Sequence, residues 1–308
     1  MHTEPKKTEM KIAFVILNYN TYEETKECIL SIEDKLDTKD YRIVVVDNCS
    51  CDDSAGKIAE FIRDKSQIEL IKNSENLGFA RGNNVGIAYA NKKYAPDYVV
   101  ACNSDTEIIS DNMTEVLDNE YKNSNFAVFA PLVLNKSGVY NAGPGEPSTI
   151  EDTLKQLKDS KRMLKLLKLG LYDLYSFLNY IKELMCYVVQ NLFRGREQRK
   201  KAIILCPKYQ TQKVLHGCFL IFSKKAFRYI EGFDNRTFLY HEEDLLYQNV
   251  KKHGLVTVFD PEVAVFHREG CASRTLRKEK KGKLLFKYQC YVESLSVRYE
   301  DLKNKNTK

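Results

Sequence analysis

The chain has no apolar run approaching the ~18–20 residues needed to span a bilayer, so a transmembrane helix is not expected. Met1 to Lys11 is polar and has no apolar stretch of the kind a secretory leader requires, so no leader is expected either. A disulfide framework is also missing. Nine cysteines, an odd number, are scattered at 28, 49, 51, 102, 186, 206, 218, 271 and 290. Such a scatter reads as reduced, mostly buried thiols in a cytosolic compartment. Cys49 and Cys51 form the only close pair, and no second Cys or His cluster follows at zinc-site spacing. There is no internal repeat and no G-x-G-x-x-G, which removes the dehydrogenase fingerprint. A formal net charge of only +6 does not call for nucleic acid, and none is expected as a partner. Its sign remains compatible with phosphate-bearing ligands or an anionic membrane surface.

What is present is enough for a full core. The 308 residues are 43% hydrophobic and 29% charged, the balance of a soluble or peripheral globular protein. Apolar strands at Lys11–Leu17, Arg42–Val46, Ile68–Lys72 and Tyr98–Cys102 alternate with amphipathic stretches at Thr21–Ile32, Asp52–Asp64 and Val85–Lys93. Thr21 and Glu24 stand at capping-box spacing. This alternation predicts parallel βαβ units with helices on both faces, an α/β fold. A helix is predicted at Asp111–Lys122, strands at Phe126–Leu134 and Lys213–Phe222, and helices at Ser223–Ile230 and Glu243–His253. Thr257–Phe259 and Ala264–His267 read as the last strands. Between these parts, 150–200 reads as a helical insertion. Leu154, Leu157, Leu164, Leu167, Leu171 and Leu174 recur at helical spacing among Lys155, Lys158, Lys161, Lys165 and Lys168.

Asp97–Asp105 is the most telling stretch, an apolar run that ends in a carboxylate. Ligands of open α/β sheets sit at the carboxyl ends of the strands. Asp105 is therefore well placed to hold a hard divalent cation, since Mg²⁺ usually bridges one or two carboxylates and a substrate's phosphates. Asp47 closes the second strand, where it could bond a base or ribose or simply serve a turn. Gly78 and Gly82 sit in an Asn-rich loop, Asn73–Asn84, read as leading into a helix whose N-terminus favours anions. Glu242-Glu243-Asp244 exceeds what a helix cap requires, and one of the three could be a general base. His267 ends the last strand, where it could face the same edge as Asp105. His216 precedes a strand.

Taken in order, these stretches resemble the family 2 glycosyltransferases with the GT-A fold, most closely a rhamnosyltransferase-like, bacterial polysaccharide-assembly branch. The matching segments are Phe14–Asn20, Val45–Ser50, Asn76–Gly86, Asn103–Thr106, His216–Ile221, Gly232–Asp234, Phe238–Asp244 and Val265–His267. The resemblance implies a Rossmann-like, mostly parallel sheet and an inverting transfer from a UDP- or dTDP-linked sugar to a glycan or lipid-linked acceptor. It implies donor contacts from Asn18, Tyr19, Asn20, Asp47, Asn76, Gly78, Arg81, Asn84, Asn103, Ser104, Asp105, His216 and Gly217. Asn103-Ser104-Asp105 would be a degenerate D-x-D holding Mg²⁺ or Mn²⁺ through Asp105, joined by His267. Asp244 or Glu243 would be the base, with Asp244 favoured.

The expected organisation is a disordered 1–10, a glycosyltransferase domain at 11–270 and a basic helical tail at 271–308. Within the domain, 11–135 would be the donor half, 150–200 the insertion and 207–270 the acceptor half. The insertion would be a solvated helical pair, a homodimer contact, or a peripheral surface on the inner face of the cell membrane that includes Leu184–Phe193. Two other readings stay open: a nucleotidyltransferase and a non-catalytic sugar-nucleotide-binding partner in a glycan assembly complex. The first expects a Gly-rich basic loop after strand one, where Asn18-Tyr19-Asn20 stands instead.

Overall fold

The computed structural model describes residues 11–135, 140–177, 180–181, 208–268 and 280–306. The expectations for 1–10, for Leu184–Phe193 and for 271–279 lie outside the described residues.

Strands β1 (Ile12–Asn18), β2 (Tyr41–Asp47), β3 (Ile68–Lys72) and β4 (Tyr98–Asn103) alternate with helices α1 (Tyr22–Lys35), α2 (Ser54–Phe61) and α3 (Gly78–Tyr94). They pair in parallel in the order β3-β2-β1-β4. After β5 (Thr106–Ile108), α4 (Met113–Ser124), β6 (Val128–Leu134), β7 (Tyr140–Ala142), α5 (Ile150–Lys168) and β8 (Gln210–Thr211), β9 (Phe219–Ser223) enters antiparallel between β4 and β6. Helix α6 (Glu242–Lys252), β10 (Thr257–His267) and α7 (Lys280–Asn306) follow. The full path is β3-β2-β1-β4-β9-β6-β10-β5, with β7 and β8 at the margins.

The unbroken apolar runs reflect burial on both faces. Along β1, Ile12, Phe14 and Ile16 enter one core cluster with Ile29, Ile32 and Leu117, while Ala13 and Val15 enter the other with Ile87, Phe222 and Val250. Successive side chains of a strand point to opposite faces, so one run feeds both cores.

Several local expectations need correction. The loop Asn73–Asn84 ends early, because α3 starts at Gly78 rather than Val85. The strand at Lys213–Phe222 begins only at Phe219, and the helix at Ser223–Ile230 is a single 3-10 turn, Ala226–Arg228. Thr257–Phe259 and Ala264–His267 belong to one strand, whose register shifts between Asp260 and Ala264. No Thr21–Glu24 capping box forms. The Thr21 hydroxyl instead bonds Asn18 Oδ1 at 3.1 Å and Ser104 Oγ at 2.9 Å. A capping box does form at Thr149 and Asp152, where α5 begins. Among the described residues no helix is long and apolar enough to cross a membrane.

Candidate active site

The carboxyl ends of β1, β2 and β4 open into a cavity of approximately 250 Å³, which Tyr19, Asn48, Asn76, Gly78, Asn103, Ser104, Asp105, Phe238, Leu239, Tyr240 and His267 help to line. A larger hollow of approximately 870 Å³ lies between α3 and residues 224–235. Arg81 and Asn84 line that second hollow, not the first. Asn84 is committed there, donating to the Phe233 carbonyl at 2.8 Å and accepting from its N–H at 2.9 Å. These two expected donor contacts are therefore not brought to the cavity at the strand ends.

Asp105 and His267 meet because of β5, a strand that its sequence does not announce. His267 pairs with Thr106 in antiparallel register, and Arg268 N–H donates to the Asp105 carbonyl at 3.0 Å. The two side chains are nearly buried, with His267 Nε2 and Asp105 Oδ1 3.2 Å apart. Ligand atoms at adjacent corners of an octahedral Mg²⁺ site lie roughly 3 Å apart, so this spacing suits a shared divalent cation. Asn103 Nδ2 approaches the same His267 nitrogen at 3.4 Å. His267 Nδ1 is buried with no hydrogen-bond partner among the described residues. No group of three or more His, Cys, Asp or Glu side chains among them could hold a metal by itself. If Asp105 and His267 held a cation, the remaining positions would be open to other oxygen ligands and water, a sharing that Mg²⁺ tolerates.

Asp47 and Asn18 are buried and bonded to one another. Asn18 Nδ2 donates to Asp47 Oδ1 at 2.7 Å, and the Thr21 and Thr25 hydroxyls donate to Asn18 Oδ1. Ser50 donates to Asp47 through both its hydroxyl and its N–H. Asn20, at φ 56, accepts from Cys51 N–H at 2.8 Å. These residues brace the strand ends, while Tyr19 faces the cavity.

Gly78 has a role that its sequence context hides. Its φ is +79, and a Cβ there would stand 2.3 Å from the Phe238 carbonyl oxygen. That carbonyl accepts from Phe79 N–H at 2.8 Å, and Gly78 N–H donates to Asn76 Oδ1 at 2.9 Å. The first amides of α3 are thus already engaged, and the close approach allowed by glycine is to backbone rather than to an anion. Asn48, which lies within the Val45–Ser50 segment and was not a candidate on its own, organises this loop by donating to Asn76 Oδ1 and the Gly78 carbonyl and accepting from Leu77 N–H. Its place directly after the acid that ends β2 is the available signal.

The acid cluster opens α6. Tyr240 at φ 75 and His241 at φ 65 are consecutive left-handed non-glycine residues that turn the chain from the cavity into the helix. Burial pushes the Glu242 carboxyl up to about 8, with the charge of Glu243 adding to the effect. Burial also raises Glu243 above the ordinary carboxylate range, and Asp244 acts in the same direction. Glu243 Oε1 accepts from Gly217 N–H at 3.2 Å, and a Cβ on Gly217 would stand 2.7 Å from that oxygen. The neighbouring His216 ring lies 5.9 Å from that of His267, but His216, Gly217, Glu243 and Asp244 are not among the described residues that line the cavity at the strand ends. Asp244 is differently placed: its Oδ2 is 3.1 Å from His241 Nδ1 and 2.8 Å from Arg298 Nη1. Arg298 on α7 was not a sequence candidate, and one of three arginines in a lysine-rich tail gives no signal.

Similarity to known proteins follows the same lines. A curated relative from Haloferax volcanii, the low-salt glycan biosynthesis hexosyltransferase Agl10, is 26% identical over 140 residues, 45% of this chain and 42% of the relative. The crystal structure of GalNAc-T7 with UDP, GalNAc and Mn²⁺ superposes with a TM-score of 0.56 at 13% identity, covering 95% of this chain and 50% of that one. The matched region spans half or less of each of these proteins. The architecture is the GT-A fold, a mixed sheet whose Rossmann-like half β3-β2-β1-β4 is parallel, with helices on both faces. The family model for glycosyl transferase family 2 matches residues 13–177, and the chain belongs to that family.

Proposed function

We propose that the protein is an inverting, metal-assisted glycosyltransferase. It would move a hexosyl or rhamnosyl unit from a UDP- or dTDP-linked donor to a hydroxyl of a glycan or lipid-linked acceptor in cell-surface polysaccharide synthesis. The observation that carries this reading is the convergence on one cavity of Asn103-Ser104-Asp105, His267 and residues 238–240, which lead directly into the acids of α6. The names of the relatives support it, one a hexosyltransferase of glycan biosynthesis and the other crystallised with UDP, GalNAc and Mn²⁺.

Asp105 and His267 would hold Mg²⁺ or Mn²⁺, with Asn103 beside them as a neutral neighbour. The cation supplies positive charge that stabilises the leaving diphosphate. Tyr19, Asn76 and Ser104 line the donor cavity, and the remaining strand-end residues keep its floor rigid.

Glu243 suits the base better than Asp244. The Asp244 carboxylate is held by Arg298 and His241, whereas Glu243 accepts from backbone and its proton affinity is raised. A raised carboxylate is a stronger base near neutral pH. Glu243 would take the acceptor's hydroxyl proton as the acceptor oxygen bonds the anomeric carbon. The anomeric C–O bond breaks at the same time, and its electron pair leaves with the nucleoside diphosphate. One displacement from the opposite face inverts the anomeric centre.

Exposed Leu169, Leu171, Leu174 and Phe177, which follow the lysine-bearing α5, support peripheral contact with an anionic membrane, testable by vesicle co-sedimentation. The first experiment is thermal stabilisation by UDP-, dTDP- and GDP-sugars with and without Mn²⁺. A metal-dependent shift with one nucleotide is expected, and no shift with any would overturn the reading.

A further inference from the structure

Phe238, Leu239 and Tyr240 line the cavity, and one face of α7 closely follows the segment from Arg236 to Asp244 that contains them. Phe286 meets Phe238 edge-on at 5.9 Å between ring centroids. Tyr291 packs edge-on against Tyr240 at 4.6 Å and lies 5.5 Å from the His241 ring. The Ser294 hydroxyl donates to the Leu239 carbonyl at 3.0 Å, and Asp301 holds Arg236 through both oxygens at 2.9 and 2.6 Å. Arg298 reaches Asp244 at 2.8 Å. Tyr291, Ser294, Arg298 and Asp301 recur three or four residues apart, the spacing of one helical stripe.

Two features distinguish this from ordinary helix packing. Tyr240 and His241 occupy left-handed backbone, which persists only where the surroundings over-determine it, and contacts from α7 fall on both. Arg298 is 1% exposed, among the largest fully buried side chains of the protein. A buried ion pair is a poor source of stability, since well-packed apolar residues of similar volume often serve as well or better. Its charge therefore calls for another explanation, and its partner stands next to Glu243 in the first turn of α6.

We propose that α7 is a working part of the site and that Arg298 is a positioning residue. Through Asp244 it fixes the first turn of α6, and with it the aim of the Glu243 carboxylate. The inference rests on the reading of Glu243 as the base. The guanidinium lies beside Asp244 and also feels the charge of Asp152 in the α5 capping box.

The test is a double-mutant cycle on the full chain. It measures release of nucleoside diphosphate from a panel of UDP-, dTDP- and GDP-sugars with Mn²⁺ and water as acceptor. Arg298→Met and Asp244→Asn should each lower kcat by about 10²-fold, the cost of a small misplacement at a reacting centre. Donor KM should stay within about twofold, because the lost interaction does not bind the donor. The double variant should be no slower than either single one, since the two residues act as a unit. Arg298→Lys, which keeps the charge, should recover part of kcat. If Arg298→Met unfolds, the lysine variant and the charge-free double variant carry the test. Wild-type kcat in the folded Arg298 variants, or losses that simply multiply, would overturn the proposal while leaving the glycosyltransferase reading intact. A wild-type protein that neither binds nor cleaves any donor would overturn that reading and, with it, the role given to Arg298.

Discussion

The two acidic edges of the cleft are held in place by different means. Asp105 sits between the ends of β4 and β5, and backbone pairing to β10 sets its position, down to the bond from Arg268 N–H to its own carbonyl. Glu242-Glu243-Asp244 stands at a helix N-terminus reached through two left-handed residues and secured by side chains from a helix some fifty residues downstream. Sheet pairing fixes geometry without demanding particular side chains. The helix edge depends on the identity of a few, and substitutions there should be felt over a longer range.

The strongest challenge to this contrast is removal of the acid at each edge. Glu243→Gln is expected to lower turnover by about 10³-fold, within the range of general acid–base catalysis, with donor binding retained. Isothermal titration with UDP beside a turnover assay separates the two effects. Asp105→Asn is expected to keep the fold and abolish the Mn²⁺-dependent part of the thermal shift by nucleotide. Equal loss of binding from both substitutions would erase the proposed division of labour. Where α3 meets the segment leading into the helix edge, Gly78→Ala places a Cβ against the Phe238 carbonyl at positive φ. It should cost about 1–3 kcal/mol in chemical denaturation, the range for a strained backbone position.

Much of the first edge was legible in the sequence and little of the second. Buried parallel strands declare themselves as apolar runs, so β1 to β4 and the acids at their ends could be read directly. The three-residue β5 could not, being defined by its partner rather than by its own pattern. Glycine misled in one instructive case. Gly78 was expected at a ligand-facing loop, yet it opens α3 and makes room for the Phe238 carbonyl, a contact 160 residues apart that no local window contains. The same limit hid Arg298. Its role depends on burial and on Asp244, whereas its sequence surroundings read as a basic amphipathic helix.

Two smaller effects sharpen the account of the helix edge. Glu242 is protonated more readily in the folded protein, with its carboxyl raised to about 8 from 4.5. Its contribution to stability is complete below pH 4.5 and is lost as pH climbs toward 8, because folding then requires burial of a charge or retention of a proton. Glu242→Gln stays neutral throughout. Its melting temperature should show a weaker decline over that window and exceed that of the wild type above it. Thr149→Ala removes the α5 capping box and should cost about 1 kcal/mol, with turnover falling slightly as the support behind α7 loosens.

The antiparallel strand β9 imposes an order of assembly. It is spelled by residues 219–223, yet it lies between β4 and β6, whose residues are made about a hundred positions earlier. During synthesis both neighbours present unpaired edges facing a gap one strand wide. Such edges invite pairing with other chains, and contacts this distant in sequence form slowly. The sheet therefore passes through a vulnerable interval that lasts until Phe219–Ser223 bridges β4 and β6 and β10, made later still, covers the other edge of β6.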